Sequence, residues 1–335
     1  MNAISRREFV AASAMLSLSA WTPALGATLG ARPTPLAQPV KISMGILKVA
    51  HLAPLAYLPA ELKGLNVEVE TAEFVRYADA RTALGSGSVD VASVGPPDLP
   101  ILLSQGLTNV VALLGVGTQP KYPLVRQGVE LEKWSDLAGK KVAIAPGSTV
   151  WFQFAAMLDE VGVPYKSLIP VNIQGGGSNF HLALKRGDAD VAILWEPFES
   201  QAVIEGFAYF AKHLDYSKSK AVGADLGVLM ASAGALNNKR EALSRVIWAY
   251  AKVQRDVASS KERFAQAVMQ YTGVAPEVAQ RIADYIELKS DLSLDQMRRQ
   301  AAAFHKFGVI QKDVSGELDK YYPADFVAAS LRGAG

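Results

Sequence analysis

The residues able to do chemistry in this chain are arranged for recognition rather than for bond-making. Its four histidines, His51, His181, His213 and His305, stand far apart and form no His-Glu-x-x-His or other metal-binding spacing. There is no cysteine, which excludes disulfides, thiolate metal sites, iron–sulfur clusters and a cysteine nucleophile. No Gly-x-Ser-x-Gly elbow and no Gly-x-x-x-x-Gly-Lys-Ser phosphate loop occurs. The sequence therefore predicts no catalytic residue, no metal and no cofactor. What it does offer is Pro146-Gly147-Ser148-Thr149 ahead of a helical segment. A helix start presents free N–H groups and a positive dipole end, and Ser148 and Thr149 add two hydroxyls, a set suited to a small anion.

Other candidates follow the ends of strand-like segments. His51 and Tyr77 come after the first two strands, and Gly95-Pro96 ends a third, where a small residue lets a ligand approach the backbone. Gln119 and Tyr122 follow an apolar strand at 109–116 and are candidates for a cleft; Lys121 between them reads as readily as a solvated loop residue. Trp195-Glu196 closes another apolar strand. There the indole would form a flat wall for an alkyl chain or ring, and Glu196 would favour a hydrogen-bond donor or bond backbone groups at a hinge.

These segments must be positioned by an alternation of strands and helices. Strand patterns at 40–46, 65–70, 89–94 and 109–116 are separated by helical ones, and the grammar restarts with strands at 141–145, 169–173 and 190–195. Continuous apolar strands between helices predict an α/β class with mostly parallel sheets covered on both faces. The halves rhyme. Ala83-Leu84-x-x-Gly87-x-Val89-Asp90-Val91-Ala92 answers Ala183-Leu184-x-x-Gly187-x-Ala189-Asp190-Val191-Ala192. Two similar lobes follow, with ligand loops at the carboxyl ends of their strands. From Leu236 onward the pattern is helical, with Leu243, Val246, Ile247, Tyr250, Val253 and Val257 on one face, and we expect these helices to cover the first lobe.

The chain has 335 residues, 50% hydrophobic and 20% charged, a folded composition too long for one core. Its 34 bases against 32 acids leave +2, too little for a protein held on nucleic acid by phosphate contacts. At the N-terminus, Ser5-Arg6-Arg7-Glu8-Phe9 precedes a short apolar stretch and the small residues Ala24-Leu25-Gly26, the build of a secretory signal over 1–26. The Ser-Arg-Arg-x-Phe pattern resembles a twin-arginine signal and implies export to the periplasm in the folded state. Residues 27–39 read as a Pro- and Ala-rich linker, and no later apolar run is long enough to insert in a membrane.

The repeated motif, Trp134-x-Asp136-Leu137-x-Gly139-Lys140-Lys141-Val142-Ala143, Pro146-Gly147-Ser148-Thr149 and Asp190-Val191-Ala192-Ile193-Leu194-Trp195-Glu196-Pro197 together resemble a known family. They are similar to the periplasmic substrate-binding proteins of nitrate, sulfonate and taurine ABC importers, relatives of the thiamine-precursor binding proteins. The resemblance runs from about residue 40 to about 310. It implies a type II binding-protein fold, with lobe 1 from 40–119 and 201–335, lobe 2 from 120–200, and two crossing strands between them. It further implies closure of a monomer over a small anionic or zwitterionic solute, without enzyme activity, and delivery to a membrane permease and ATPase. An aminopyrimidine ligand, a sensor role and an enzyme on the same scaffold are the alternatives. One segment departs from the family: His51 reaches Gly64-Leu65 by a shorter route, which implies a trimmed first ligand loop.

Overall fold

The computed structural model describes residues 29–333; the signal over 1–26 and the first two linker residues lie outside the described residues. Two five-stranded sheets form. The first has the order β2-β1-β3-β10-β4, from β1 (Val40–Ile46), β2 (Val67–Glu73), β3 (Val91–Val94), β4 (Val110–Gly115) and β10 (Val228–Ser232). The second has the order β7-β6-β8-β5-β9, from β5 (Leu124–Arg126), β6 (Lys141–Ile144), β7 (Ile169–Asn172), β8 (Val191–Ala192) and β9 (Ala208–Phe210). In chain order the helices are α1 (Leu58–Lys63), α2 (Tyr77–Gly85), α3 (Asp98–Ser104), α4 (Thr149–Glu160), α5 (Gly177–Arg186), α6 (Phe198–Ile204), α7 (Ala233–Asn238), α8 (Arg240–Val257), α9 (Lys261–Thr272), α10 (Pro276–Ala283), α11 (Leu294–Lys306) and α12 (Ala324–Leu331).

Each sheet has a parallel core of three strands that the sequence pattern announces. In each, antiparallel strands complete the sheet: β10 lies between β3 and β4, and β5 lies between β8 and β9. The sheets are thus mixed. The second sheet also runs on to Phe210, beyond the lobe boundary at residue 200 that the sequence suggests. Strands of three residues such as β5 and β9 carry too little periodicity to be seen in sequence.

The sequence rhyme has a physical basis. At the start of β3 the Asp90 carboxylate accepts hydrogen bonds from the Ser43 amide (2.8 Å) and hydroxyl (3.0 Å) of β1 and from Lys239 Nζ (2.8 Å). At the start of β8, Asp190 accepts from the Lys141 amide of β6 (3.0 Å) and from Arg126 (2.9 Å). In both lobes an aspartate thus ties the central strand to its parallel neighbour. Both α2 and α5 end near a glycine at positive φ, Gly87 at 77° and Gly187 at 79°, a turn that only glycine makes without strain.

The predicted stripe of α8 is buried in full against the first sheet. Helix α4 belongs to the second lobe, yet Phe152, Ala156 and Met157 pack into the first lobe's core, where the Phe152 and Phe304 rings lie 5.3 Å apart. The lobes are joined by two crossovers, 116–123 and 211–227. Leu226 N–H donates to Gly117 O (2.9 Å), Gln119 N–H to Ala224 O (3.1 Å) and Tyr216 N–H to Lys121 O (2.9 Å). A third segment braces them, because Thr118 and Glu287 exchange both backbone hydrogen bonds.

For Asp90 and Asp190 burial alone would raise the pKa, but the hydrogen bonds from Lys239 and Ser43, and from Lys141 and Arg126, outweigh it and hold both below the usual value. A depressed carboxylate stabilises the fold above its unfolded pKa, and that contribution is lost as pH falls through the folded one. Asp90→Asn and Asp190→Asn should each lower the melting temperature at pH 7. In thermal melts followed by circular dichroism, their gap from wild type should close as pH falls from about 5 towards 3.

Candidate functional site

Between the sheets lies a cavity of about 680 Å³ including its mouth. Its lining draws on both lobes and both crossovers: Leu47, His51, Val75, Arg76 and Tyr77 from the first lobe, Ser148, Thr149, Gln153, Leu194, Trp195 and Glu199 from the second, and Gln119, Lys121, Tyr216 and Asp225 from the crossovers.

One end is rich in donors. Ser148 caps α4 by accepting the Trp151 N–H (3.3 Å), a bond worth about 1 kcal/mol to the helix. The amides of Thr149 and Val150, at the first two positions of the helix, have no acceptor within it. Thr149 Oγ1 is buried without a hydrogen-bond partner, and so is Gln153 Nε2, one turn along the same face. Inside the cavity these groups ask for an acceptor. The opposite need is found on the first crossover and α6. Gln119 and Glu199 both line this end, and Gln119 Oε1 is buried with no donor. Burial first, then the neighbouring Glu196, raises the Glu199 carboxyl well above its ordinary value. Between the two ends the walls are apolar: Leu47, Val75, Leu194 and Trp195, whose indole is braced edge-on by Phe180 at 5.5 Å.

His51 and Tyr77 share a hydrogen bond through Nε2 and the phenol hydroxyl. Burial, followed by the charge of Lys121, pushes His51 down to about 3, so its ring is neutral at pH 7.

Of the residues singled out from sequence, His51, Tyr77, Gln119, Ser148, Thr149 and Trp195 come together in this lining, whereas Gly95, Pro96, Tyr122 and Glu196 do not. Glu196 is buried, and its carboxylate accepts the Ser200 N–H (2.9 Å) and hydroxyl (2.6 Å), closing the first turn of α6. Its partners lie in α6 and not in the crossovers, and its backbone oxygen also accepts from Ala50 N–H of the first lobe (3.3 Å). Tyr122 turns toward Phe210, ring centroids 5.8 Å apart. Gly95 touches the site from behind: a Cβ placed there would lie 2.0 Å from Thr149 Oγ1. Sequence reasoning missed Glu199 and left Lys121 open between the cleft and a solvated loop; it lines the cavity. For Glu199 the available signal was its place one helical turn after the predicted acid, Glu196-x-x-Glu199.

Lobes that meet so closely around an enclosed, partly unsatisfied cavity define a hinged solute-binding protein. The sequence matches the family described as ABC transporter, phosphonate, periplasmic substrate-binding protein over residues 47–286. The chain belongs to that family. It is 28% identical over 162 residues to the taurine-binding periplasmic protein of Escherichia coli, covering 48% of this chain and 50% of that one. The chain spans about half the length of the curated relatives it matches. In fold it is similar to the alkanesulfonate-binding protein SsuA from Xanthomonas axonopodis pv. citri bound to MOPS, with TM-score 0.73 at 18% identity, covering 86% of this chain and 99% of that one. It is similar too to the periplasmic nitrate-binding protein NrtA from Synechocystis PCC 6803, with TM-score 0.71 at 16% identity, covering 88% and 89%.

The contact at Gly95 yields a test of closure. Gly95→Ala should hold the lobes apart while leaving each core intact. Calorimetry should then show ligand affinity reduced by about tenfold or more, with the melting temperature of the ligand-free chain nearly unchanged.

Proposed function

We propose that this chain is the solute-binding component of an ABC importer, working in the periplasm after twin-arginine export. Its lobes close over a small organic oxyanion, most simply a sulfonate, and present it to a membrane permease and its ATPase. The observation that carries this reading is the donor-rich start of α4, with Thr149 Oγ1 and Gln153 Nε2 buried and unpartnered inside an interlobe cavity. A resonance-stabilised oxyanion supplies several acceptors at once and complements the positive end of the helix.

The apolar walls favour a ligand with a carbon body over nitrate. The acceptor end, Gln119 Oε1 with Glu199, favours a ligand that also carries an N–H donor, so an aminoalkanesulfonate such as taurine suits the whole cavity better than a plain alkanesulfonate. An aminopyrimidine would satisfy the acceptor end but leave the α4 donors unmet. We assign the chain no catalytic role and no cofactor. We read it as a monomer whose second lobe runs from about 120 to Phe210, past the boundary at residue 200 that the sequence suggests, with lobe 1 on either side of it, the first 26 residues being a signal and 27–39 a linker.

A thermal-shift panel tests this directly on the chain stripped of ligand by unfolding and refolding. The panel holds nitrate, sulfate, alkanesulfonates, taurine, small carboxylates and aminopyrimidines. Ligand at about 1,000 times its dissociation constant adds about 4 kcal/mol to stability, which moves the midpoint by several degrees. Sulfonates should produce that shift; a shift confined to aminopyrimidines or carboxylates would replace the ligand class.

A further inference from the structure

Lys121 is the least expected residue in the cavity. A lysine in a short connection between strands ordinarily lies in solvent, but this one is 6% exposed and lines the site. Its Nζ donates to Gly223 O at 2.7 Å and to Asp225 O at 2.9 Å, both in the second crossover. An ammonium has three N–H donors, so one remains. Among the described residues no carboxylate lies within ion-pair distance of Nζ.

We propose that Lys121 recognises the ligand's negative charge: backbone carbonyls of the second crossover fix two of its N–H groups, and the third is left for an anionic oxygen in the cavity. This rests on reading the cavity as an oxyanion site and names the residue that makes it selective for charge. Two neutral carbonyls hold the amine in place without neutralising it, and a buried cation without a counter-ion is costly. The negative charges of Asp225 and Asp215 reach Lys121 only from beyond ion-pair distance, so an anionic oxygen in the cavity would be its first direct counter-ion. The same geometry ties recognition to closure, because Lys121 belongs to one crossover and its two acceptors to the other.

The titration of the group follows. Burial pushes Lys121 down to about 7, opposed by the negative charges of Asp225 and Asp215. Of the other groups facing the cavity, His51 is held neutral, while burial raises Tyr77 and Tyr216 so that both stay protonated. Arg76 is paired with Asp79 at 2.9 Å. Burial raises the carboxyls of Glu199 and of Asp225, which also lines the cavity. An anion beside Nζ stabilises the ammonium, so binding above pH 7 takes up a proton and weakens as pH rises.

The probe is propanesulfonate, whose charge is constant across this range, studied by calorimetry with the full mature chain. At pH 8, in two buffers of different ionisation enthalpy, binding should take up most of one proton, and affinity should fall between pH 7 and 9 by up to about tenfold per unit. Lys121→Gln should bind at least about tenfold more weakly at pH 7 and lose the proton uptake, while Glu199→Gln should keep it. Wild-type binding with no proton uptake at pH 8, and a flat profile, overturns the proposal without needing any variant to fold. So does a folded Lys121→Gln chain that binds like wild type, or a proton uptake that vanishes in Glu199→Gln instead. If no oxyanion, propanesulfonate included, binds the wild-type chain at all, it is the functional reading that fails, and the role of Lys121 falls with it.

Discussion

A helix that begins inside a cleft between two lobes carries N–H groups that neither the helix nor water can satisfy once the cleft closes. That constraint at the start of α4 organises the site. Ser148 meets the need of one amide, as a capping serine does anywhere, but the amides of Thr149 and Val150 and the side chains of Thr149 and Gln153 are left over. A protein with no function there would have filled the space with apolar side chains. Instead the closest approach from the opposite lobe is Gly95, the one residue type small enough to come up against Thr149. On the function proposed above, the buried donors, the glycine against Thr149 and the apolar walls follow from one requirement, that a ligand complete the helix start.

The scaffold that allows this is the same α/β unit used twice. Asp90 and Asp190 each tie a central strand to its parallel neighbour, and the residues after the second of those strands, Leu194 and Trp195, line the cavity. The crossovers do more than connect. They pair with each other, take a brace from Glu287 and contribute Gln119 and Lys121 to the lining, so the connection between the lobes is also part of the site. Packing of α4 against α11 through Phe152 and Phe304 adds an apolar contact between lobes beside the cleft. Ligand affinity and lobe position therefore share residues, as a protein requires if a solute is to shift its population toward the closed form.

Much of this was legible in the sequence because it rests on local chemistry. The parallel strands are alternating or continuous apolar segments, α4 announces itself by its cap, and the twin Gly-x-x-Asp motifs mark the repeat. The resemblance to importer binding proteins rested on the same residues, and the family match confirms it. The rest depends on distant contacts. Strand β10 lies between β3 and β4 although it is more than a hundred residues away from both, a pairing no local period encodes. Trp195 and Glu196 are adjacent, yet the strand end turns the indole to the cavity and the carboxylate to the start of α6. For Lys121 the sequence leaves cleft and solvated loop open, and the choice is made by the second crossover, which offers it two carbonyls.

The most direct test of the account is a crystal structure of the mature chain with taurine or propanesulfonate bound. The account predicts closed lobes with sulfonate oxygens within about 3 Å of Thr149 Oγ1 and the first amides of α4. A ligand seated elsewhere, or held in the cavity with its charged group turned away from that helix start, would contradict it.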